Sequence, residues 1–304
     1  MGDDSASSRR STRTPPARTP EGRMTATEVP RYAPEWLELR EPADAAARAR
    51  ELLAPLISAL TSGQDDGTGL VIHDLGCGSG SMGRWLAPRL TGAQHWVLHD
   101  RDPELLVLAA DRTPRTADDG SPVTVATVRG DLAGLTAATL AGASLVTASA
   151  LLDVLTREEI DSLAAACAEA GCPALLALSV MGRVELTPAD PLDAEIQEAF
   201  NAHQRRGGLL GPDAVTQASE AFARHGMTVR VHASPWRLGA EESELTGEWL
   251  QGWVGAACEE RPDLGPRAVE YLRRRLAACA ARELEVVVHH SDLLALPRPT
   301  GGTS

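Results

Sequence analysis

Three glycines at alternate positions, Gly76, Gly78 and Gly80, follow an aspartate in the run LVIHDLGCGSGSMG at residues 70–83. Glycines so placed allow a tight turn and let the backbone come close to a ligand. A helix starting at Ser81 would aim its free N–H groups at the same place. Asp74, two residues before the first glycine, would stand beside that ligand. A carboxylate there suits an ammonium group and repels a pyrophosphate. Gly78, Gly80 and Gly83 also satisfy GxGxxG, so a dinucleotide is the competing ligand. Further on, WVLHDRDP puts Asp100 20 residues after Gly80, at the end of an apolar run. A carboxylate there can accept both hydrogen bonds of a ribose diol, whichever ligand carries it. Asp102 reads as the cap of a helix that starts at Pro103.

A second cluster able to do chemistry is FNAHQRRGG, residues 200–208. His203 titrates near neutrality and could take a proton from a hydroxyl or amine. Arg205 or Arg206 could clasp a carboxylate with paired N–H groups, and Asn201 and Gln204 could orient an acceptor. Neighbouring side chains diverge on a helix, so one of the two arginines is expected to face away, and a plain polar helix surface is the competing reading. Among the other histidines, His73 reads as packed or paired, and His99 as facing the opposite side of its strand. The pair His289–His290 comes with no ligand spacing, so no metal is expected. Trp249 and Trp253, four apart, share a helix face and read as a core stripe rather than an aromatic cage.

These residues need a frame. Strand patterns cover 70–75, 94–99, 122–129, 145–150, 174–180, 228–233 and 285–290, with an apolar hook at 293–296. Helical patterns cover 42–60, 81–90, 103–111, 156–170, 214–225, 244–257 and 266–284. Alternation of this kind implies an α/β, Rossmann-like fold: a mixed, mostly parallel sheet with helices on both faces. The domain is expected over 30–297, with cap segments mainly in 30–65, 182–226 and 238–284. Residues 1–29, rich in Ser, Thr, Arg and Pro, read as a disordered tail, and 298–304 as a flexible one.

Of the 304 residues, 43% are hydrophobic, enough for a substantial core. The formal charge of −13, from 42 acidic against 29 basic residues, weighs against a nucleic-acid partner, because backbone affinity comes largely from Lys and Arg. Five scattered cysteines with no CxxC pair argue against a disulfide framework or a zinc site and point to a reducing, cytoplasmic compartment. No signal peptide is expected from MGDDSASSRR. The uncharged stretch 132–152 is rich in Ala, Thr and Gly, and reads as helix, turn and strand, not as a membrane span. No oligomeric state follows.

With these residues in view, the chain resembles the class I S-adenosylmethionine-dependent methyltransferases, whose acid-then-GxGxG pattern stands here as Asp74-Leu75-Gly76-Cys77-Gly78-Ser79-Gly80. The resemblance implies S-adenosylmethionine as cofactor, with its methionine part over the glycine turn and its amino group near Asp74. It assigns the ribose to Asp100, with Arg101 beside it. It assigns the adenine to Asp131 and Leu132, and the methionine side of the crevice to Ser149. Asp153, after the fourth strand, would line the acceptor pocket. No Asn/Asp-Pro-Pro-Tyr/Phe signature occurs, which lowers the case for methylating base or glutamine amino groups. The chain is also similar to a bacterial subgroup associated with small-molecule methylation, through Gly182-Arg183-Val184-Glu185 and Phe200-Asn201-Ala202-His203-Gln204-Arg205-Arg206. That likeness adds Glu185 to the substrate candidates Asp153, Asn201, Gln204, Arg205 and Arg206, with His203 as the candidate base. The expected activity is methyl transfer to a small polar molecule. An NAD-dependent oxidoreductase and a noncatalytic S-adenosylmethionine-binding protein are the alternatives.

Overall fold

The computed structural model describes residues 33–62, 69–130 and 135–298. The tail expected over 1–29 lies outside them, as do Asp131, Leu132 and all but the first residue of the tail expected over 298–304.

The apolar runs become strands where the sequence puts them: β1 (Leu70–Leu75), β2 (Gln94–Asp100), β3 (Val123–Arg129), β4 (Leu145–Ser149), β5 (Ala174–Thr187), β6 (Thr228–Ala233), β7 (Trp236–Leu238) and β8 (Glu285–Leu296). They form one sheet in the order β3-β2-β1-β4-β5-β8-β6, with β7 paired to β8. β1 through β5 pair in parallel, whereas β8 runs antiparallel to β5, β6 and β7. The fold is therefore Rossmann-like α/β with a mixed, mostly parallel sheet. Its strand order reverses between β1 and β4, the point where open sheets of this kind bind ligands outside their carboxyl ends.

Alternate residues of each strand feed opposite faces. Ile72 and Leu145 pack on one side with Leu56, Leu86 and Leu106, from α2 (Leu53–Ser62), α3 (Ser81–Leu86) and α4 (Pro103–Arg112). Leu75 and Val146 pack on the other with Leu163 and Phe222, from α5 (Arg157–Glu169) and α7 (Ala214–Arg224). Helix starts follow local chemistry. Asp102 caps α4 by accepting from the Glu104 N–H at 2.9 Å, and Thr156 with Glu159 forms a reciprocal capping box at α5.

Three elements differ from the sequence reading, each for a physical reason. β5 runs on to Thr187 instead of stopping near Val180. Register shifts before Ser179 and Val184 absorb the bends, with Leu178 and Gly182 at φ of +57° and +66°. β8 runs unbroken through Ser291 and Asp292, so the apolar hook at 293–296 is its last part. The buried Asp292 carboxylate is satisfied by the N–H groups of Ala49, at 2.8 Å, and Leu178, at 2.7 Å. The first of these bonds also explains why the helix expected over 42–60 is two helices. α1 (Pro34–Ala47) tolerates Pro42 and ends at Arg48, and the Ala49 N–H turns to Asp292 before α2 begins.

The extended halves of β5 and β8, with β7, carry a third core. Leu186, Val286 and Leu238 pack there against α6 (Asp193–Gln204), α8 (Ser243–Glu260) and α9 (Gly265–Ala280). Among the described residues no helix is long and apolar enough to cross a membrane.

Candidate functional site

The glycine turn sits at the carboxyl end of β1. Gly76, Gly78 and Gly80 have φ of +58°, +53° and +87°, the left-handed region where a side chain is costly. Gly80 has a second reason: a Cβ there would meet Ala109 Cα of α4 at 3.1 Å. At Gly78 a Cβ would reach van der Waals contact with Leu37 Cδ1 of α1, at 3.4 Å. The turn is pinned by backbone bonds from the Cys77 N–H to the His99 carbonyl, 2.9 Å, and from the Gly80 N–H to the Cys77 carbonyl, 2.8 Å. Asp100, half-buried at the end of β2, accepts from the N–H groups of Gly78 and Asp102, both at 2.9 Å. It thus ties the glycine turn to the strand expected to hold a ribose. Arg101 follows it, exposed.

Two ionisable side chains, Asp74 and Arg48, are buried beside the turn. Asp74 is almost completely enclosed; its Oδ1 accepts from the Thr147 hydroxyl at 2.7 Å, and its Oδ2 is buried with no partner. Burial pushes this carboxyl up to about 7, against the opposing pull of Thr147 and Arg48. Arg48, from the end of α1, is equally buried. It donates through Nη2 to the hydroxyls of Ser81, at 3.0 Å, and Ser149, at 3.1 Å, while its Nε has no partner. Desolvation lowers its pKa, and Asp44, Asp292 and Asp74 oppose that shift. Ser149, expected on the methionine side of the crevice, ends β4 and accepts from Arg48, a residue that the local sequence pattern does not mark. Its signal was the four-residue spacing of Asp44, Arg48, Leu52, Leu56 and Leu60, which puts an arginine on an otherwise largely apolar, buried stripe.

His73 and His99 pair with each other through Nδ1 and Nε2 at 3.0 Å, with stacked rings. Burial pushes His99 down to about 4. His73 neighbours Asp74 on its strand and so projects to the opposite face.

Next to the crevice, a cleft of about 160 Å³ opens between the extended ribbon and the cap helices. Ala150 and Asp153, just after β4, line it. Ala150 has φ of +52°, and Leu178 on the opposite wall has φ of +57°. Two non-glycine residues in this strained region border the same cleft, a pattern associated with functional sites. Its walls are aromatic. Trp249 and Trp253 of α8 stack with centroids 5.0 Å apart and planes 17° apart, and Trp36 and Trp236 face the same space. The two α8 indoles are therefore both core and cleft wall, whereas their spacing alone favoured core. Arg40 lies over the Trp236 ring at 5.0 Å, and its guanidinium is held by Asp44 at 3.0 Å.

The polar segment of α6 divides as helix geometry requires. Asn201 and Gln204 line the cleft. His203 points to α8, where its Nε2 lies 3.1 Å from Glu259 Oε2. Arg205 pairs with Asp213 at 2.7 Å and Arg206 with Glu260 at 2.5 Å. Glu185 is bound to Arg183 at 2.6 Å and to His289 at 2.9 Å, on the exposed side of the ribbon. The structure thus brings Asp153, Asn201 and Gln204 together, and seats His203, Arg205, Arg206 and Glu185 in ion pairs outside that group.

No family model matches the sequence, and no curated protein does. The chain is similar in structure to a cyclopropane synthase from Mycobacterium tuberculosis, with 15% identity, 80% of this chain and 83% of that chain covered, and a TM-score of 0.43. It is similar to an S-adenosylmethionine-dependent methyltransferase from Geobacter sulfurreducens in complex with S-adenosylhomocysteine, with 16% identity, 88% and 99% coverage and a TM-score of 0.43. The chemistry has to be read from this chain's own residues.

Proposed function

We propose that the chain is an S-adenosylmethionine-dependent methyltransferase acting on a small molecule. The observation that carries this reading is the buried pair Asp74 and Arg48, each with an unpartnered polar atom, beside the glycine turn. An amino-acid head group presents an ammonium and a carboxylate together. Asp74 Oδ2 would take the ammonium and Arg48 the carboxylate, and both orphaned atoms would be satisfied. A dinucleotide would instead set a pyrophosphate near a buried carboxylate, which is repulsive. Asp100 would receive the ribose hydroxyls, and the Gly76–Gly80 backbone would pass closely under the ligand. Asp131 and Leu132 are proposed to border the adenine.

When bound, the sulfonium supplies an activated methyl group with its own leaving group. The protein has then to align an acceptor, exclude water and receive a proton where the acceptor carries one. Calorimetry with S-adenosylhomocysteine and with NAD tests the reading. Binding of the former and not the latter is expected. NAD binding without S-adenosylhomocysteine binding would replace it with an oxidoreductase. Binding of the former without transfer to any acceptor in a broad panel would leave a noncatalytic binder.

A further inference from the structure

The cleft beside Ala150 and Asp153 has a chemical character of its own, and we infer from it that the acceptor is a flat, amino-substituted heteroaromatic molecule of one or two rings. This inference rests on the methyltransferase reading for its reaction, and on the cleft alone for its ligand.

Size and shape come first. A cavity of roughly 150 Å³ accommodates a benzene-sized ring, and this one measures about 160 Å³. Four indoles line it, an aromatic surface that suits a flat ring better than a flexible chain. Polarity comes second. Three cleft-lining residues carry buried acceptor oxygens without partners: Asp153 Oδ1, Asn201 Oδ1 and Gln204 Oε1. The Asn201 amide is oriented by its own Nδ2, which donates to the Gly182 carbonyl at 2.8 Å, so its oxygen is the free end. Buried acceptors left unmet are costly, so the fitting ligand is a donor with several N–H groups. A phenol offers one O–H; an amino-substituted ring offers two or more N–H groups.

Charge comes third. The two arginines that line the cleft are each already paired, Arg40 with Asp44 and Arg183 with Glu185. His290 is neutral, pushed down to about 3 by burial and by the nearby Arg40. Neither cleft-lining arginine is left unpaired to bind a carboxylate or phosphate, whereas Asp153 Oδ1 has no partner. An anionic acceptor is thereby disfavoured, and a neutral or protonated amine is favoured.

Transfer to such a ring balances simply. A nitrogen lone pair forms the new N–C bond as the methyl–sulfur bond breaks and its electrons return to sulfur. The displaced N–H proton passes to the Asp153 carboxylate and then to water.

The test is binding, read by indole fluorescence and calorimetry on the full chain, with and without saturating S-adenosylhomocysteine. The probes are diaminopyrimidine and aminoquinoline, with benzoate as the flat anion and tetramethylammonium as the cation that is not flat. The amino-heterocycles should bind best and change the indole emission. Asp153→Asn and Trp249→Leu should each weaken them about tenfold or more while leaving S-adenosylhomocysteine affinity near wild type, and Asp153→Asn, which keeps the side-chain volume, should do so in a protein that still folds cooperatively. Preference for benzoate or tetramethylammonium would overturn the inference, as would amino-heterocycle binding that neither substitution changes. S-adenosylhomocysteine binding with no probe binding removes the ligand class and keeps the methyl-donor reading. Probe binding without S-adenosylhomocysteine binding does the reverse.

Discussion

Asp74 and Thr147 meet across the neighbouring strands β1 and β4, with the threonine hydroxyl donating to Asp74 Oδ1 at 2.7 Å. One oxygen is thereby fixed, and the other is buried without a partner, in a place where a charge is expensive. The folded protein holds this carboxyl up near 7, against about 3.9 for a free aspartate. The protonated form is the one folding favours, so this stabilising contribution is full below about pH 4 and is lost as pH rises through about 7. Asp74→Asn keeps the acceptor for Thr147 and carries no charge. Its melting temperature should therefore exceed wild type by a margin that grows from about pH 5 to about pH 8. A margin independent of pH would show that Asp74 is not the group responsible.

Ligand binding should run the opposite way. An ammonium favours ionised Asp74, so S-adenosylhomocysteine affinity in wild type should rise with pH and level off above about 7, with a proton released below it. Asp74→Asn should bind more weakly and without that dependence. Calorimetry in buffers of different ionisation enthalpy measures the released proton directly.

Arg48 makes a sharper distinction. If its guanidinium holds the amino-acid carboxylate, Arg48→Gln should weaken S-adenosylhomocysteine by roughly 1.5–3 kcal/mol. Methylthioadenosine, which lacks the amino-acid group, should be affected far less. Equal losses for both ligands would mean that the substitution had only disturbed the packing of α1 against the Ser81 and Ser149 hydroxyls.

Asp292 holds the frame around that arginine. Asp292→Ala strips the buried N–H groups of Ala49 and Leu178 of their acceptor and should cost roughly 2–4 kcal/mol in chemical denaturation. A change below about 0.5 kcal/mol would mean that both amides find other partners.

The contrast between Asp292 and Asp74 shows what local sequence carries. Asp74 was legible as a candidate because its signal is written within eleven residues, Leu70–Gly80: an apolar strand, an acid and alternating glycines. The strand pattern was legible for the same reason, since burial on both faces leaves continuous apolar runs such as Leu70–Leu75. Asp292 looked like a break between two apolar runs, because the donors that keep it inside a strand are more than 100 residues away in sequence. The cleft was hidden in the same way. Trp36, Trp236 and Trp249 come from three separate segments far apart in the chain, and no local pattern joins them to Asp153, the residue expected at an acceptor pocket. Within α6 the type of chemistry was readable but its direction was not. Which of Asn201, His203 and Gln204 turns to the cleft depends on where α8 packs, and α8 offers Glu259 to His203.

That arrangement sets two proton acceptors against each other. His203 is the imidazole of the polar segment, but it is held by Glu259 outside the cleft. Asp153 lies in the cleft wall, and burial raises its carboxyl above the usual range, toward the basicity that proton transfer at neutral pH needs. With an amino-heterocycle as acceptor, Asp153→Asn should lower the rate of methyl transfer by roughly 10²–10⁴-fold and remove the acidic limb of the pH–rate profile. His203→Gln should change the rate by less than about threefold and leave the profile in place, since it loses an exposed pair worth about 1 kcal/mol or less. Single-turnover rates across the pH range, for wild type and both variants, separate the two. A large loss in His203→Gln with an unchanged Asp153→Asn would return the base to α6 and require that helix to turn its histidine inward when the acceptor binds.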